Sequence, residues 1–465
     1  MPITNLRLLN FKCFADSGDI SLAPLTLIFG RNNTGKSSIL QSLLLLRQSL
    51  DVPEYGPRLN LRGPLYPAGS YTDIVHQHRA KQAIEIRCRL HSSPSQKLHR
   101  EMAKRIDFTW LRTSRLLKRE IQSDLHMEFR SDEPQAPRLT RLEVRGEGVE
   151  PLLFHRGRGK GGPYELRIGE TNLHGERAAG FWFGVNRFFP VIEPQFGRPG
   201  PASEKRGESR FLADFSFQML ETELHKLRSV GAFRRQPDRR YEYQGRLPDD
   251  IDAIGANVVN ALIEDSTRRG HKGELLRSVN RWLAHVGGVR LMPLRRISRT
   301  ARIFEVRLRD TDSGRWANFA DVGFGIGQAF PVFVEGLRTP PGGMFLVQEP
   351  EIHLHPDAQL AMADFLIDLA NAGRQVIVET HSEHLLLRVR HRIVDTNGGR
   401  RKKGALDRGS VSIVHVEKRR DGASRATRLE IDELGQIGKW PANFMEEATE
   451  ERMAILKSAV KRAES

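Results

Sequence analysis

Apolar positions in this chain switch repeatedly between two periods, and the switches mark out its elements. Residues 3 to 14 alternate as a strand does, and Leu25-Thr26-Leu27-Ile28-Phe29 is apolar and short enough for a buried strand. Ser38 to Leu46 is a helix-forming run that follows at once. Val52 to Ala68, rich in Pro and Gly, predicts a surface loop, and Ala83 to Leu90 alternates again. Short alternating pieces at 139–145 and 164–168 predict further strands, with a loop of glycines and basic residues at 156–162 between them. Pro190 to Gly207 has the composition of a flexible connection. Helical spacing covers Phe211 to Val230, and Gly255 to His285 predicts two helices broken near Gly270. Strands are expected at 303–308, 344–347 and 375–378, with a helix from Pro356 to Asn371. The strand 411–416 is expected to pair with one near 428–431, before a short helical tail. No heptad seam or internal repeat is evident, which excludes long coiled-coil arms.

The junction between the first buried strand and its helix carries chemistry. Residues 30–37 read Gly-Arg-Asn-Asn-Thr-Gly-Lys-Ser, the G-x-x-x-x-G-K-S pattern of a phosphate-binding loop, in the strand–loop–helix context that gives the pattern meaning. Backbone amides from Asn33 through Thr34 and Gly35 to Lys36 would cradle the β-phosphate at a helix N-terminus. Lys36 would reach the β- and γ-phosphates, and the Ser37 hydroxyl would ligate Mg²⁺, with Ser38 next in line. A nucleoside triphosphate is the expected ligand.

Composition narrows the class. With 465 residues, the chain fits about three domain-sized units or one large α/β core with insertions. Lys plus Arg number 73 against 57 Asp plus Glu, and the net charge of +16 favours a polyanionic partner, nucleic acid ahead of an anionic membrane. Two cysteines, Cys13 and Cys88, are too few for a disulfide framework or a thiolate metal site, as expected of a reducing cytoplasm. The start lacks the features of a signal peptide, and apolar runs such as Leu43 to Leu46 fall far short of a membrane span. A cytoplasmic protein with no membrane contact is expected.

Two further strand ends complete a candidate site. Met344-Phe-Leu-Val-Gln-Glu-Pro-Glu351 is an apolar strand ending in acid, which would place a carboxylate where it can orient an attacking water. Val376-Ile-Val-Glu-Thr-His381-Ser382 ends another apolar strand in a polar cluster, where His381 would bond the γ-phosphate and position that water. Glu349 and His381 are the expected catalytic pair.

With these three segments and the opening strand through Asn10-Phe11-Lys12-Cys13-Phe14, the chain resembles the ABC-type ATPase heads of the RecF, SMC and OLD (overcoming-lysogenisation-defect) group. Asn10-Phe11-Lys12-Cys13-Phe14 is similar to the group's opening strand, and Gly30 to Ser37 to its G-x-N-x-x-G-K-S, with Asn32 in the asparagine position. Glu349-Pro350-Glu351-Ile-His353-Leu-His355-Pro356 resembles its E-P-E-x-x-L-H-P block, and Glu379-Thr380-His381-Ser382 its T-H-S switch. Asp321 to Gln328 and Gly435-Gln-Ile-Gly-Lys-Trp-Pro441 with Phe444 resemble marks of a bacterial subfamily of standalone AAA-like ATPases. The likeness covers 3–50 and 320–445 well. Between them it is confined to pieces such as Gly231-Ala-Phe-Arg-Arg235.

The resemblance implies an α/β P-loop NTPase head of ABC type, a mixed sheet lobe plus a helical lobe, with a β-rich insertion. Its expected divisions are residues 1–90 (first half of the core), 91–215 (insertion), 216–320 (helical lobe and return strands), 321–395 (signature, Walker B, D-loop and switch) and 396–465 (C-terminal strands and tail). It also implies ATP and Mg²⁺, and two ATPs sandwiched between two subunits. Gly323, Gly325 and Gly327 resemble the signature that would meet the partner's γ-phosphate, a glycine hinge being the rival reading. That segment lacks the usual serine. Gln77 is the candidate for the glutamine that links the γ-phosphate to the second lobe.

A second departure bears on rate. Position 348 holds Gln348 where the group has a Mg²⁺-orienting acid, and an amide can accept from a metal-bound water but brings no charge. Hydrolysis is then expected to be slow, with Glu351 a candidate for the missing charge. His353 and His355 suggest a D-loop rather than a metal site, and the stretch holding Glu430 and Asp432 is too short for a nuclease domain. Arg234-Arg235 with Arg239-Arg240, Arg400 to Lys403, and Lys418 to Arg420 could meet DNA phosphates, or Arg234 and Arg235 could serve structure. Two functions fit: a dimerising ATPase acting on DNA or on a separately encoded effector such as a nuclease, in genome maintenance or phage defence, or a nucleotide-dependent scaffold or sensor with little turnover.

Overall fold

The computed structural model describes residues 3–51, 57–93, 119–131, 137–157, 164–173, 177–178, 181–184, 188–189, 191–194, 201–243, 245, 253–267, 273–298, 302–397, 404–438, 440, 453–455 and 458. The basic run 400–403 and most of the C-terminal tail lie outside these residues, as do positions 439, 441 and 444 of the tail motif.

At the centre is a six-stranded sheet in the order Arg228–Val230, Met344–Gln348, Gln375–Glu379, Leu25–Phe29, Val411–Lys418, Ser424–Leu429. The first five strands run parallel, and the last closes an antiparallel hairpin. Such strands read as unbroken apolar runs because both sheet faces are covered. One face sends Ile28, Leu346, Ile377 and Val414 into one hydrophobic cluster. The other sends Leu27, Val347, Val378 and Ile413 into a second.

The first cluster is roofed by a nine-stranded antiparallel sheet that begins with Ile3–Phe11 and Ile84–Ser92. Strands Ile121–Arg130, Arg138–Gly146, Val149–Arg156, Tyr164–Ile168 and Thr171–Leu173 extend it in sequence order. The β-rich stretch therefore continues the N-terminal sheet strand by strand. Helix Lys36–Leu50 is buried nearly all round in this cluster, as its unbroken leucines require. The second cluster is packed by helices Val258–Thr267, Glu274–Gly287, Phe324–Arg338, Pro356–Asn371 and Glu383–Asn397.

Two expectations need correction. The helix expected over 211–230 instead spans Pro201–His225, and Arg228–Val230 is the edge strand of the core sheet. Residues 201–207 of the expected flexible connection are thus helix. The strand expected at 303–308 is broken at Val306 into Ile303–Glu305 and Arg307–Asp310, which join different small sheets. Among the described residues, no helix is long and apolar enough to cross a membrane.

Candidate nucleotide site

The parallel strands Leu25–Phe29, Gln375–Glu379 and Met344–Gln348 end side by side, with Glu379 in register with both Ile28 and Gln348. Ligands of open α/β sheets bind in the crevice beyond such C-terminal ends. The phosphate loop, the Glu349 turn and the His381 turn all leave from this edge.

Backbone geometry explains the loop's sequence. Gly30 has φ 151° and Gly35 φ 101°, conformations that side chains rarely tolerate. A Cβ on Gly30 would lie 2.2 Å from the Val416 carbonyl oxygen, and one on Gly35 would lie 2.0 Å from Cys13 Sγ. The loop is thus wedged between strand 411–418 and the turn at Cys13. Thr34 locks it by donating to the Arg31 carbonyl at 2.8 Å. Asn32 and Asn33 are exposed, Asn33 with φ 62°. No side chain caps the helix that begins at Lys36, so its N-terminal end faces the crevice uncapped. Ser38 is buried beside Cys13, whose thiol is 3.8 Å from its hydroxyl.

Lys36 Nζ donates to the carbonyls of Gly30 and Arg31 at 3.0 and 3.1 Å. Burial lowers its pKa, opposed by the charges of Glu379, Glu349 and Glu351. Glu349 and His381 come together, Nε2 of His381 lying 3.4 Å from Glu349 Oε1. Glu349 adopts φ 44° and donates its amide to the Glu379 carbonyl at 2.8 Å, which turns its side chain away from the strand line. Burial pushes the Glu349 carboxyl well above the usual range, reinforced by neighbouring Glu351 and Glu379. Burial lowers the His381 imidazole, helped by Lys36.

The polar groups around position 348 are arranged differently from the sequence expectation. The Gln348 amide nitrogen donates to Glu379 Oε2 at 2.7 Å, and the Ser37 hydroxyl donates to Glu379 Oε1 at 2.6 Å. Glu351 stands in the same crevice, where its charge acts on Lys36. One of its oxygens accepts from the Thr380 hydroxyl and from the His381 amide at 2.8 Å, so it fixes the switch turn. Ser382 continues that turn, donating to Gln359 at 2.6 Å and accepting from the Leu385 amide. Glu379 had no assigned role in the sequence. Its only signal was an acid closing an apolar strand.

Gly323 caps helix Phe324–Arg338, so the glycine segment is a first helical turn, not a hinge. A Cβ on Gly323 would meet nothing, whereas one on Gly325 would lie 2.5 Å from the His353 carbonyl oxygen and one on Gly327 3.1 Å from Pro237. Two of the three glycines thus have reasons within the same chain. Phe324 is exposed and stands edge-on to the His353 ring at 4.6 Å, joining this helix tip to the turn after Glu351.

Arg234 is buried rather than free for DNA. Its guanidinium donates to the carbonyls of Gly231, Gln328, Gln348 and Glu349, tying the edge-strand loop, the glycine helix and the acidic turn into one unit. Burial lowers its pKa to about 10, against the pull of Glu351 and Glu349. Gln77 stands exposed with φ 53° in the turn 76–78, one step from the phosphate loop: His76 Nδ1 lies 2.8 Å from the Lys12 carbonyl, next to Cys13.

Other candidates lie apart. His355 caps helix Pro356–Asn371, and among the described residues no cluster of three His, Cys, Asp or Glu could hold a metal unaided. Asp432 accepts from the amides of Leu434 and Gln436, so it shapes a turn. Lys418, Arg419 and Arg420 are exposed at the tip of the 411–429 hairpin.

The residues present fit Mg²⁺–ATP. The helix N-terminus lacks a side-chain cap, the loop glycines let the backbone pack against Val416 and Cys13 and turn toward that end, and the hard oxygens of Ser37 and Glu379 lie beside it.

Comparison with known proteins places this edge in context. A family model described as "AAA domain, putative AbiEii toxin, Type IV TA system" matches residues 25–388, from the phosphate-loop strand to the helix after the switch turn. No curated protein matches the chain. Among solved structures, an SMC head bound to the C-winged helix domain of ScpA is 12% identical with a TM-score of 0.42, over 92% of this chain and 98% of that one. The SMC head of Thermotoga maritima is 12% identical with a TM-score of 0.39, over 93% and 100%. An Smc head with an extended coiled coil bound to the C-terminal domain of ScpA, derived from Pyrococcus furiosus, is 13% identical with a TM-score of 0.41, over 99% and 100%.

Proposed function

The chain belongs to this AAA-domain family, and from that membership we propose that it binds Mg²⁺–ATP at residues 30–37, hydrolyses it, and works as an ATP-sandwiched dimer. The observation that carries the proposal is the pairing of Glu349 with His381 at the strand edge from which the phosphate loop departs. ATP would lie along Gly30 to Ser38, its β-phosphate on the loop amides and its charge met by Lys36. When bound, Mg²⁺ neutralises charge on the β- and γ-phosphates, and Ser37 stands on its side of the site. Glu349 orients the attacking water and accepts its proton, while His381 holds the γ-phosphate side.

The partner copy would present its Gly323 tip. Gly323 has open space around it and Phe324 is exposed beside His353, so among the described residues this face is uncovered. Gly325 and Gly327 let the tip pack closely on its own chain. Gln77 is proposed as the link between the phosphates and the turn at 76–78. The net charge of +16 supports contact with DNA, and control of a separately encoded effector such as a nuclease remains within the same proposal.

The test is Mg²⁺-dependent phosphate release, with Glu349→Gln alongside. Loss of a general base typically costs about 10²-fold or more, and the variant should accumulate as a dimer in ATP by light scattering. Unchanged turnover in Glu349→Gln would overturn the catalytic assignment, and a monomer under all nucleotide conditions would overturn the sandwich. The second reading, a nucleotide clamp with little turnover, is favoured by the uncharged Gln348 at the strand end. Turnover near the roughly 10 s⁻¹ typical of enzymes would remove it.

A further inference from the structure

Position 348 lacks an acid, yet the structure places one a single strand away. We propose that Glu379 is the carboxylate that completes the divalent-cation side of the nucleotide site, taking the place that Gln348 leaves uncharged. The inference rests on the Mg²⁺–ATP reading above. Gln348 and Glu379 are register partners at the ends of adjacent parallel strands, so the charge has moved sideways by one strand without leaving the crevice. One Glu379 oxygen holds the hydroxyl of Ser37, the loop residue expected to face the cation, at 2.6 Å. The other is held by the Gln348 amide at 2.7 Å.

Burial makes this arrangement informative. Glu379 is 6% exposed, and among the described residues no arginine, lysine or histidine forms an ion pair with it. Carboxylates buried without a cation are costly, and such sites ordinarily hold a paired charge or a metal. Lys36 lends it a favourable field while donating to the Gly30 and Arg31 carbonyls rather than to Glu379. A divalent cation arriving with ATP is the missing partner.

The same contact explains the glutamine. An acid at 348 would stand within hydrogen-bond distance of Glu379, and two carboxylates that close cannot both stay ionised. An amide there donates a hydrogen bond instead and fixes the carboxylate's orientation. Gln348 is thus a positioning residue, and its uncharged side chain is the counterpart of Glu379.

The experiment compares ATP affinity by calorimetry in Mg²⁺ and in EDTA, using the full chain, and repeats it with Mn²⁺ to record the bound ion by electron paramagnetic resonance. Wild type should bind ATP more tightly with metal. In Glu379→Gln that gain should fall by about 10- to 100-fold, the cost typical of losing a group that supports a metal, and the Mn²⁺ spectrum should change. The exchanged pair Gln348→Glu/Glu379→Gln keeps one carboxylate, one amide and their hydrogen bond, so it should regain most of the gain. Circular dichroism reads the folding of each variant, and if Glu379→Gln does not fold, the exchanged pair carries the test. A full metal-dependent gain in Glu379→Gln, or none in a folded exchanged pair, would overturn the role of Glu379 while leaving ATP binding intact. Absence of ATP binding by wild type, with or without metal, would instead overturn the nucleotide reading and this inference with it.

Discussion

Replacing Arg234 with methionine tests whether the strand edge is one mechanical unit. The substitution keeps the aliphatic stem and removes the donors that four carbonyls share, those of Gly231, Gln328, Gln348 and Glu349, at 2.9, 3.0, 2.5 and 2.9 Å. An orphaned carbonyl costs about 1 to 3 kcal/mol, and at about 1.5 kcal/mol each the loss is about 6 kcal/mol. Against it stands the cost of burying the guanidinium, whose pKa is lowered to about 10; that fall corresponds to about 3 kcal/mol recovered on removal. The net destabilisation is about 3 kcal/mol, localised where Met344–Gln348 meets helix Phe324–Arg338. Hydrogen exchange measures such local opening directly. Peptides covering 344–348 should lose about 10²-fold in protection, while strand Ile121–Arg130 in the other sheet stays as it was. Arg234→Lys should fall between, because an ammonium cannot fork to carbonyls from three elements. Protection at 344–348 within about threefold of wild type would refute the reasoning, since the four carbonyls would then have found other partners.

Two further outcomes follow from the geometry. Gly35→Ala forces a side chain onto φ 101° and places its Cβ 2.0 Å from Cys13 Sγ, so ATP affinity measured by calorimetry should fall about 5- to 30-fold, the effect of about 1 to 2 kcal/mol of strain. Cys13→Ala added to it should restore only part, because the backbone strain remains; complete restoration would show that the thiol alone sets the requirement. Glu223, 3% exposed in helix Pro201–His225 with Lys226 at 3.6 Å, has its pKa raised from 4.5 to about 7 by burial. The folded state therefore binds the proton more tightly than the unfolded state, and this contribution to stability is lost as pH rises from about 4.5 through about 7. Glu223→Gln should exceed wild type by up to about 3 kcal/mol near pH 8 and match it near pH 4, by urea unfolding at each pH. Equal stability near pH 8 would refute the buried-acid account.

What the sequence made legible, and what it hid, follows from how far each interaction reaches along the chain. Gly30 to Ser37 could be recognised because loop, strand and helix are contiguous, and helix Pro356–Asn371 because its cap and period are local. Glu349 and His381 could be paired because each closes an apolar run, and such runs lie in one buried sheet. The role of Glu379 depends instead on register. Sliding its strand by one residue would turn its carboxylate to the other face of the sheet, and nothing in the sequence specifies that register or which strand lies beside it. Arg234 was open to two readings because a basic pair has the same composition whether it faces DNA or four carbonyls. The glycines at 323–327 were legible as a set but not individually: Gly325 is required by the His353 carbonyl, a contact across 28 residues, while Gly323 meets nothing among the described residues. That difference bears on function. A glycine explained by its own fold says little about a partner, so the interface reading rests on Gly323 and the exposed Phe324 alone. The charge at position 348 follows the same logic, since an acid absent from one strand end can be supplied by the neighbouring strand without changing what the crevice presents to a nucleotide.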